Sequence, residues 1–144
     1  MTKILVVHGA GMNMRGKAQL DVFGPQTLED YNRLIREYAA QVGVTVEVFH
    51  SNVEGETLNA LYAAHDGDVD AAIINPGGFT GGAPALVAGI SQVRFPVIEV
   101  HLSNPAARGN PSVFTRVCRG SIVGLGLYGY YLGLLAAKQL VQLK

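Results

Sequence analysis

The chain reads as an α/β fold built on one parallel sheet of five strands. Three observations predict it. Short apolar runs alternate along the sequence with longer stretches of helical spacing. The runs Ile4-Leu5-Val6-Val7 and Ala71-Ala72-Ile73-Ile74 are continuous rather than alternating, as strands covered on both faces are. Gly, Pro and Asn gather directly after the apolar runs, where strands end and loops begin.

The first strand spans Lys3 to Val7. Thr27-Leu28-Glu29-Asp30 resembles a capping box, so a helix starts there. Leu28, Tyr31, Leu34, Ile35, Tyr38 and Val42 then recur at helical spacing, and Gly43 marks the stop. Val44 to Phe49 alternates and gives the second strand. Glu54 to His65 gives a second helix with Leu58, Leu61, Tyr62 and His65 on one face. Ala71 to Ile74 is the third strand, broken by Asn75-Pro76-Gly77-Gly78. Pro84 suits the first turn of a short helix ending near Gln92. Val97 to His101 is the fourth strand, Ser121 to Val123 the fifth, and Leu127 to Leu143 the last helix. Strand followed by helix, five times over, predicts the flavodoxin-like order 2-1-3-4-5 with helices on both faces in three layers. Residues 1–144 are expected to form a single domain.

Composition narrows the function. Net charge is zero, so no basic footprint for nucleic acid stands out. No apolar run reaches the roughly 18 residues of a membrane span. The early first strand leaves no room for a signal peptide, and a single cysteine, Cys118, fits a reducing cytoplasm. Cys118 itself reads as a core thiol. Gly124-Leu125-Gly126-Leu127-Tyr128-Gly129 spells G-x-G-x-x-G, yet no further strand with an acidic residue follows it. It is read as a tight turn with close helix–sheet packing, and no cofactor is expected. No His, Cys, Asp and Glu spacing reads as a metal site.

Ligands in such sheets bind beyond the C-terminal ends of the strands, near the switch point between the first and third. The loops at that edge are "HGAGMNMRG", "NPGGFTGG" and "HLSNPAARGN". The first runs on from Gly9 to Gln26, far beyond the usual 2–6 residues, and is expected to act as a lid over the site. Glu99 and His101 are two apart on a strand, so both side chains point to one face. A carboxylate beside an imidazole fixes its tautomer, and a strand end places the pair for acid–base work. Asn75 ends the neighbouring strand and can orient a substrate hydroxyl; Ser103 can hold a carboxylate. Asn13 reaches in from the first loop, and His8 either faces the same cleft or is an edge histidine without a catalytic part.

Together "ILVVHGAGMN", "SNVEGE", "NPGGFT", "EVHLSN" and "GLGLYGYYL" resemble type II 3-dehydroquinate dehydratases in order and spacing along the whole chain. The resemblance implies a cofactor-free elimination of water from 3-dehydroquinate through an enolate, in trimers packed into dodecamers. It implies active-site roles for Asn13, Asn75, Glu99, His101 and Ser103, with the His and Glu pair protonating the leaving hydroxyl. It also implies substrate contacts around Gly77, Leu102 and Ser103, and at Arg108 in the stretch that follows. The lid departs from the family pattern. The family's catalytic Tyr falls at Phe23, its lid Arg at Ala18, the His after "NPGAYT" at Gly81, and an interface Asp at Ala88. A Tyr has a pKa near 10 and must be lowered by a cation to act as a base; Phe23 has no proton to give. Little or no 3-dehydroquinate dehydration is therefore expected.

Two readings remain open at this point. One is an enzyme with altered proton chemistry next to a carbonyl, on a small oxygenated, cyclic substrate. In it Arg15 or Lys17 binds an anion, Asp21 serves as a base if desolvated, and Phe23 makes the pocket more apolar. The other is a non-catalytic binding or structural homologue that uses the fold to assemble. Tyr31, Tyr128 and Tyr130 are the remaining tyrosines that could replace the lost base.

Overall fold

The apolar runs become five strands in the computed structural model, which describes residues 1–143. They are β1 (Lys3–Ala10), β2 (Thr45–His50), β3 (Ala71–Gly77), β4 (Val97–His101) and β5 (Gly120–Val123). All four pairings are parallel and the order is β2-β1-β3-β4-β5, as expected. The helices are α1 (Leu20–Phe23), α2 (Leu28–Val42), α3 (Glu54–Asp66), α4 (Pro84–Ile90) and α5 (Tyr128–Gln142).

Strand parity sorts the core into two halves. Ile4 and Val6 of β1, Ile73 of β3 and Ile98 and Val100 of β4 face α2 and α5, joining Tyr31, Ile35, Tyr130 and Leu134. Leu5, Val7, Ala72, Ile74 and Val97 face the other way, toward α3 and α4 with Leu61, Leu86 and Ile90. Each fully buried Leu or Ile contributes about 1.5–3 kcal/mol of transfer free energy, so both faces are tightly specified. The same parity carries Asn75 and His8 to the α5 side, and Glu99 and His101 to the α4 side.

The capping box of α2 is present, with Thr27 accepting from the Asp30 amide at 3.1 Å and Asp30 accepting from the Thr27 amide at 2.9 Å. Gly43 closes α2 with φ +81°. The G-x-G-x-x-G stretch is a turn, as read: Gly124 and Gly126 take positive φ. Gly129 lets α5 approach β4, since a Cβ there would sit 3.3 Å from Val100. None of the described helices is long and apolar enough to cross a membrane.

Three expectations change. The buried face of α3 is Thr57, Leu61 and Ala64; Leu58 and Tyr62 turn sideways onto Gly89 of α4, where the missing side chain admits them. β3 does not break at Asn75 but runs on to Gly77, because β1 continues beside it, pairing His8 with Asn75 and Ala10 with Gly77. The strand–helix alternation fails once: the link from β4 to β5 holds only a 3-10 turn, Ala106–Arg108, and otherwise follows its Pro and Gly residues as a loop.

Candidate active site

The extended ends of β1 and β3 form the floor of the site. They come this close only because Gly9 has no side chain: a Cβ there would lie 1.8 Å from the Pro76 carbonyl oxygen. Gly77 then turns the chain with φ +55°, and Thr80 Oγ1 ties the turn by donating to the Gly77 carbonyl at 2.6 Å. Beyond this floor lies a cavity of about 440 Å³. Asn75 and Gly77 line it from β3, His101 from the end of β4, and Leu102, Ser103 and Arg108 from the loop that follows.

The long first loop roofs this cavity, which answers why the chain is extended there. Met12, fully buried in a 3-10 turn (Met12–Met14), anchors it to the α2 side of the core. Met14, Arg15, Ala18, Gln19 and Phe23 then line the cavity from above. The Arg15 guanidinium stacks on the Phe23 ring with Cζ 3.6 Å from the ring centre, and Arg108 approaches the same ring at 5.5 Å. The Arg108 Nη2 donates to Ser103 Oγ at 3.0 Å.

Glu99 and His101 meet as their spacing predicts. His101 Nε2 donates to Glu99 Oε2 at 2.6 Å, and both side chains are buried. Three hydroxyls also donate to the carboxylate: Thr115 at 2.7 Å, Ser121 at 2.9 Å, and Ser112. Burial alone would push the Glu99 carboxyl up; the bonds from His101, Ser112, Thr115 and Ser121 outweigh it and hold it down to about 2. Glu99 is thus ionised at neutral pH, and its charge fixes the imidazole with the proton on Nε2. Nδ1 is left without a protein partner on a side chain that lines the cavity. Sequence reading missed the three hydroxyls. Ser121 pairs with Glu99 in register, so strand parity could have found it; Ser112 and Thr115 lie in a loop without periodicity.

A second buried network supports Asn75. Its Nδ2 donates to the Tyr130 hydroxyl at 2.9 Å, and the Gly77 amide donates to its Oδ1 at 3.3 Å. Tyr130 in turn reaches His8 Nδ1 at 3.5 Å, and His8 Nε2 donates to Asn32 Oδ1 at 2.8 Å. Burial pushes His8 down to about 4, against the pull of the Asn32 bond, so it is neutral at pH 7. His8 therefore faces the core, not the cleft, and acts behind Asn75.

Two candidate residues are not brought to the cavity. Asn13 is exposed: the 3-10 turn that buries Met12 points its neighbour outward, and Gly11 lines the cavity instead. Asp21 is exposed on the outer side of α1 and does not line the cavity, so the desolvation its role as a base required is missing. Nor does a tyrosine enter. Tyr31 and Tyr130 are fully buried, Tyr128 is half exposed and stacked on Tyr131, and none lines the cavity. Cys118 is no nucleophile: burial first, then the Glu99 charge, push its thiol up to about 12.

Fold and site together define a small α/β protein of flavodoxin-like topology, with a carboxylate–imidazole pair opening on a cavity at the C-terminal edge of its sheet. The chain belongs to the dehydroquinase class II family, whose family model matches residues 2–138. It is 38% identical to a 3-dehydroquinate dehydratase of Syntrophotalea carbinolica, over 100% of this chain and 99% of that protein. It is 44% identical to one of Thermotoga neapolitana, over 92% and 91% of the two chains. Among solved structures, type II dehydroquinase from Butyrivibrio crossotus superposes with a TM-score of 0.90 at 32% identity, covering 95% of this chain and 97% of that one. A 3-dehydroquinate dehydratase-like protein from Bifidobacterium longum gives 0.74 at 31% identity, covering 98% of both chains.

Proposed function

We propose that the chain is a cofactor-free acid–base enzyme, a lyase or isomerase that moves a proton next to a carbonyl on a small oxygenated carboxylate. The observation that carries this is the His101–Glu99 pair: a 2.6 Å bond to a buried, ionised carboxylate, with the other ring nitrogen unpartnered at a cavity wall. In the reaction Nδ1 takes the proton from the carbon next to the carbonyl, and the electron pair moves to the carbonyl oxygen as an enolate. The imidazolium so formed is stabilised by Glu99, which stays ionised. It returns its proton to carbon in an isomerisation, or to a leaving hydroxyl that departs as water in an elimination. Asn75 has one Nδ2 hydrogen engaged with Tyr130 and a second free to hold a substrate oxygen. Ser103 and Arg108 offer donors to a carboxylate.

The names of the relatives support a hydro-lyase. Phe23 argues for a changed rate or substrate, because among the described residues no tyrosine hydroxyl lines the cavity to serve as the usual base. General-base catalysis is worth roughly 10²–10⁴-fold, so dehydration of 3-dehydroquinate is expected to be correspondingly slow. Enone formation from 3-dehydroquinate by the purified protein tests this. A turnover of about one per second or more, ordinary for an enzyme, would overturn it. Binding without turnover is the second reading, favoured by the same missing hydroxyl. On either reading the chain acts as one domain in a cytoplasmic homo-oligomer, trimer or dodecamer. The exposed apolar side chains Val123, Leu125, Tyr128 and Leu135 support association.

A further inference from the structure

Arg15 is a buried cation without a counter-ion. The residue is only 9% exposed and lines the cavity, and its Nε is sealed from solvent with no hydrogen-bond partner among the described residues. Among the described residues no carboxylate lies within ion-pair distance of it, whereas Lys3 has two and Arg33 and His101 one each. The ionisable groups that face it are Tyr31, Tyr130 and Arg108: two phenols and a second cation. Burial lowers the guanidinium from its usual range and pushes both phenols up, so at neutral pH Arg15 is charged and the phenols are not. Phe23 beneath it offers only the negative face of its ring. Holding a charge out of water without an opposite charge is costly, and a bound anion removes that cost.

The rest of the wall sharpens the demand. Arg108 has no carboxylate partner either among the described residues; its one bond goes to the neutral Ser103 hydroxyl. Among the described residues no Asp or Glu lines the cavity. The lining thus carries two guanidinium charges around one phenyl ring and nothing of opposite sign.

We propose that the cavity takes a dianion, a small ligand with one acidic group at Ser103 and Arg108 and a second at Arg15, across the face of Phe23. This rests on the reading of the cavity as the substrate site and adds to it the charge of the substrate. A monocarboxylate would satisfy the Ser103 end and leave Arg15 unpaired. The second group is a carboxylate or a sulfate ester, each with one negative charge; both present oxygens that a guanidinium grips in two places.

Calorimetric titration of the purified full chain at constant ionic strength tests it, because charge–charge affinity is screened by salt. The probes are cyclohexanecarboxylate, cyclohexane-1,3-dicarboxylate and the sulfate ester of 3-hydroxycyclohexanecarboxylate. At least one dianion should bind about tenfold or more tighter than the monoacid, and which one identifies the second group. In Arg15→Met that preference should fall to near parity while the monoacid affinity holds; Arg15→Gln, which keeps a polar head without charge, should behave likewise. Arg15→Met should unfold at an equal or higher temperature, since it deletes an unpaired buried charge, so loss of preference is separable from loss of fold. Equal affinity of wild type for monoacid and dianions, or a preference that survives Arg15→Met, overturns the proposal. His101→Ala should keep the preference. If it does while wild type turns over no carbonyl acid, the acid–base reading fails and the dianion site stands.

Discussion

The Tyr130 hydroxyl accepts a hydrogen bond from Asn75 Nδ2 at 2.9 Å, across the interface between α5 and β3. Both groups are buried, and behind the phenol stands His8, itself tied to Asn32. A helix on one face of the sheet therefore sets the orientation of an amide at the cavity floor. Tyr130→Phe should keep the ring packing and lose the acceptor. A buried polar group left unpaired costs about 1–3 kcal/mol, so urea denaturation should show a loss of that size. Ligand affinity in the cavity should fall as well, because Asn75 is then free to rotate. A variant with unchanged stability and affinity would remove Asn75's support from the account.

His8 gives the fold a pH dependence with a defined sign. The unfolded chain takes up a proton on this residue as pH falls through about 6.5, whereas the folded chain resists until about 4. Between these values the unfolded state binds more protons, so the His8 contribution to stability falls with falling pH and levels off near pH 4. The full difference is roughly 3 kcal/mol. Glu99 adds a second, lower window: its folded value of about 2 lies below the ordinary carboxyl value of about 4.5, so its stabilisation is present above 4.5 and lost as pH falls toward 2. Unfolding free energies at stepped pH should show both, and His8→Asn should flatten the first only.

The three hydroxyls on Glu99 keep its charge in place. Ser121→Ala removes one donor at 2.9 Å from a buried carboxylate. Hydrogen bonds to charged groups are worth about 1.5–3 kcal/mol, so stability at pH 7 should drop within that range. The acid limb of the stability curve should also shift to higher pH, because the carboxylate is then easier to protonate.

Cys118 should be inert toward thiol reagents in the folded protein at pH 8, since burial and the Glu99 charge push its thiol up to about 12. Labelling with a disulfide reagent, native against denatured, checks this directly.

The sequence exposes the fold because its signals are local and agree with one another. The Thr27–Asp30 box, the α2 stripe of Tyr31, Ile35 and Val42, and the continuous runs of β1 and β3 each survive intact. Glu99 and His101 were legible for the same reason: a spacing of two on a strand is a geometric statement. Asn13 misled because its direction depends on which neighbour the core captures, and here Met12 is buried. Asp21 misled because a short helix of four residues has an outer side that no pattern marks. The partners of Asn75 and Glu99 come from distant elements, Tyr130 from α5 and Ser112 from a loop, and only the packed chain brings them together.

Solvent deuterium uptake at the carbon next to the carbonyl, followed by proton NMR, tests the central claim most directly. The probes are 3-dehydroquinate and cyclic oxo-dicarboxylates, with wild type, His101→Ala and Glu99→Gln. Wild type should catalyse exchange on at least one of them, and both variants should be slower by about 10²–10⁴-fold, the worth of a positioned acid–base group. Exchange at the same rate in His101→Ala, or none with wild type on any of these probes, would contradict the assignment of proton transfer to the His101–Glu99 pair.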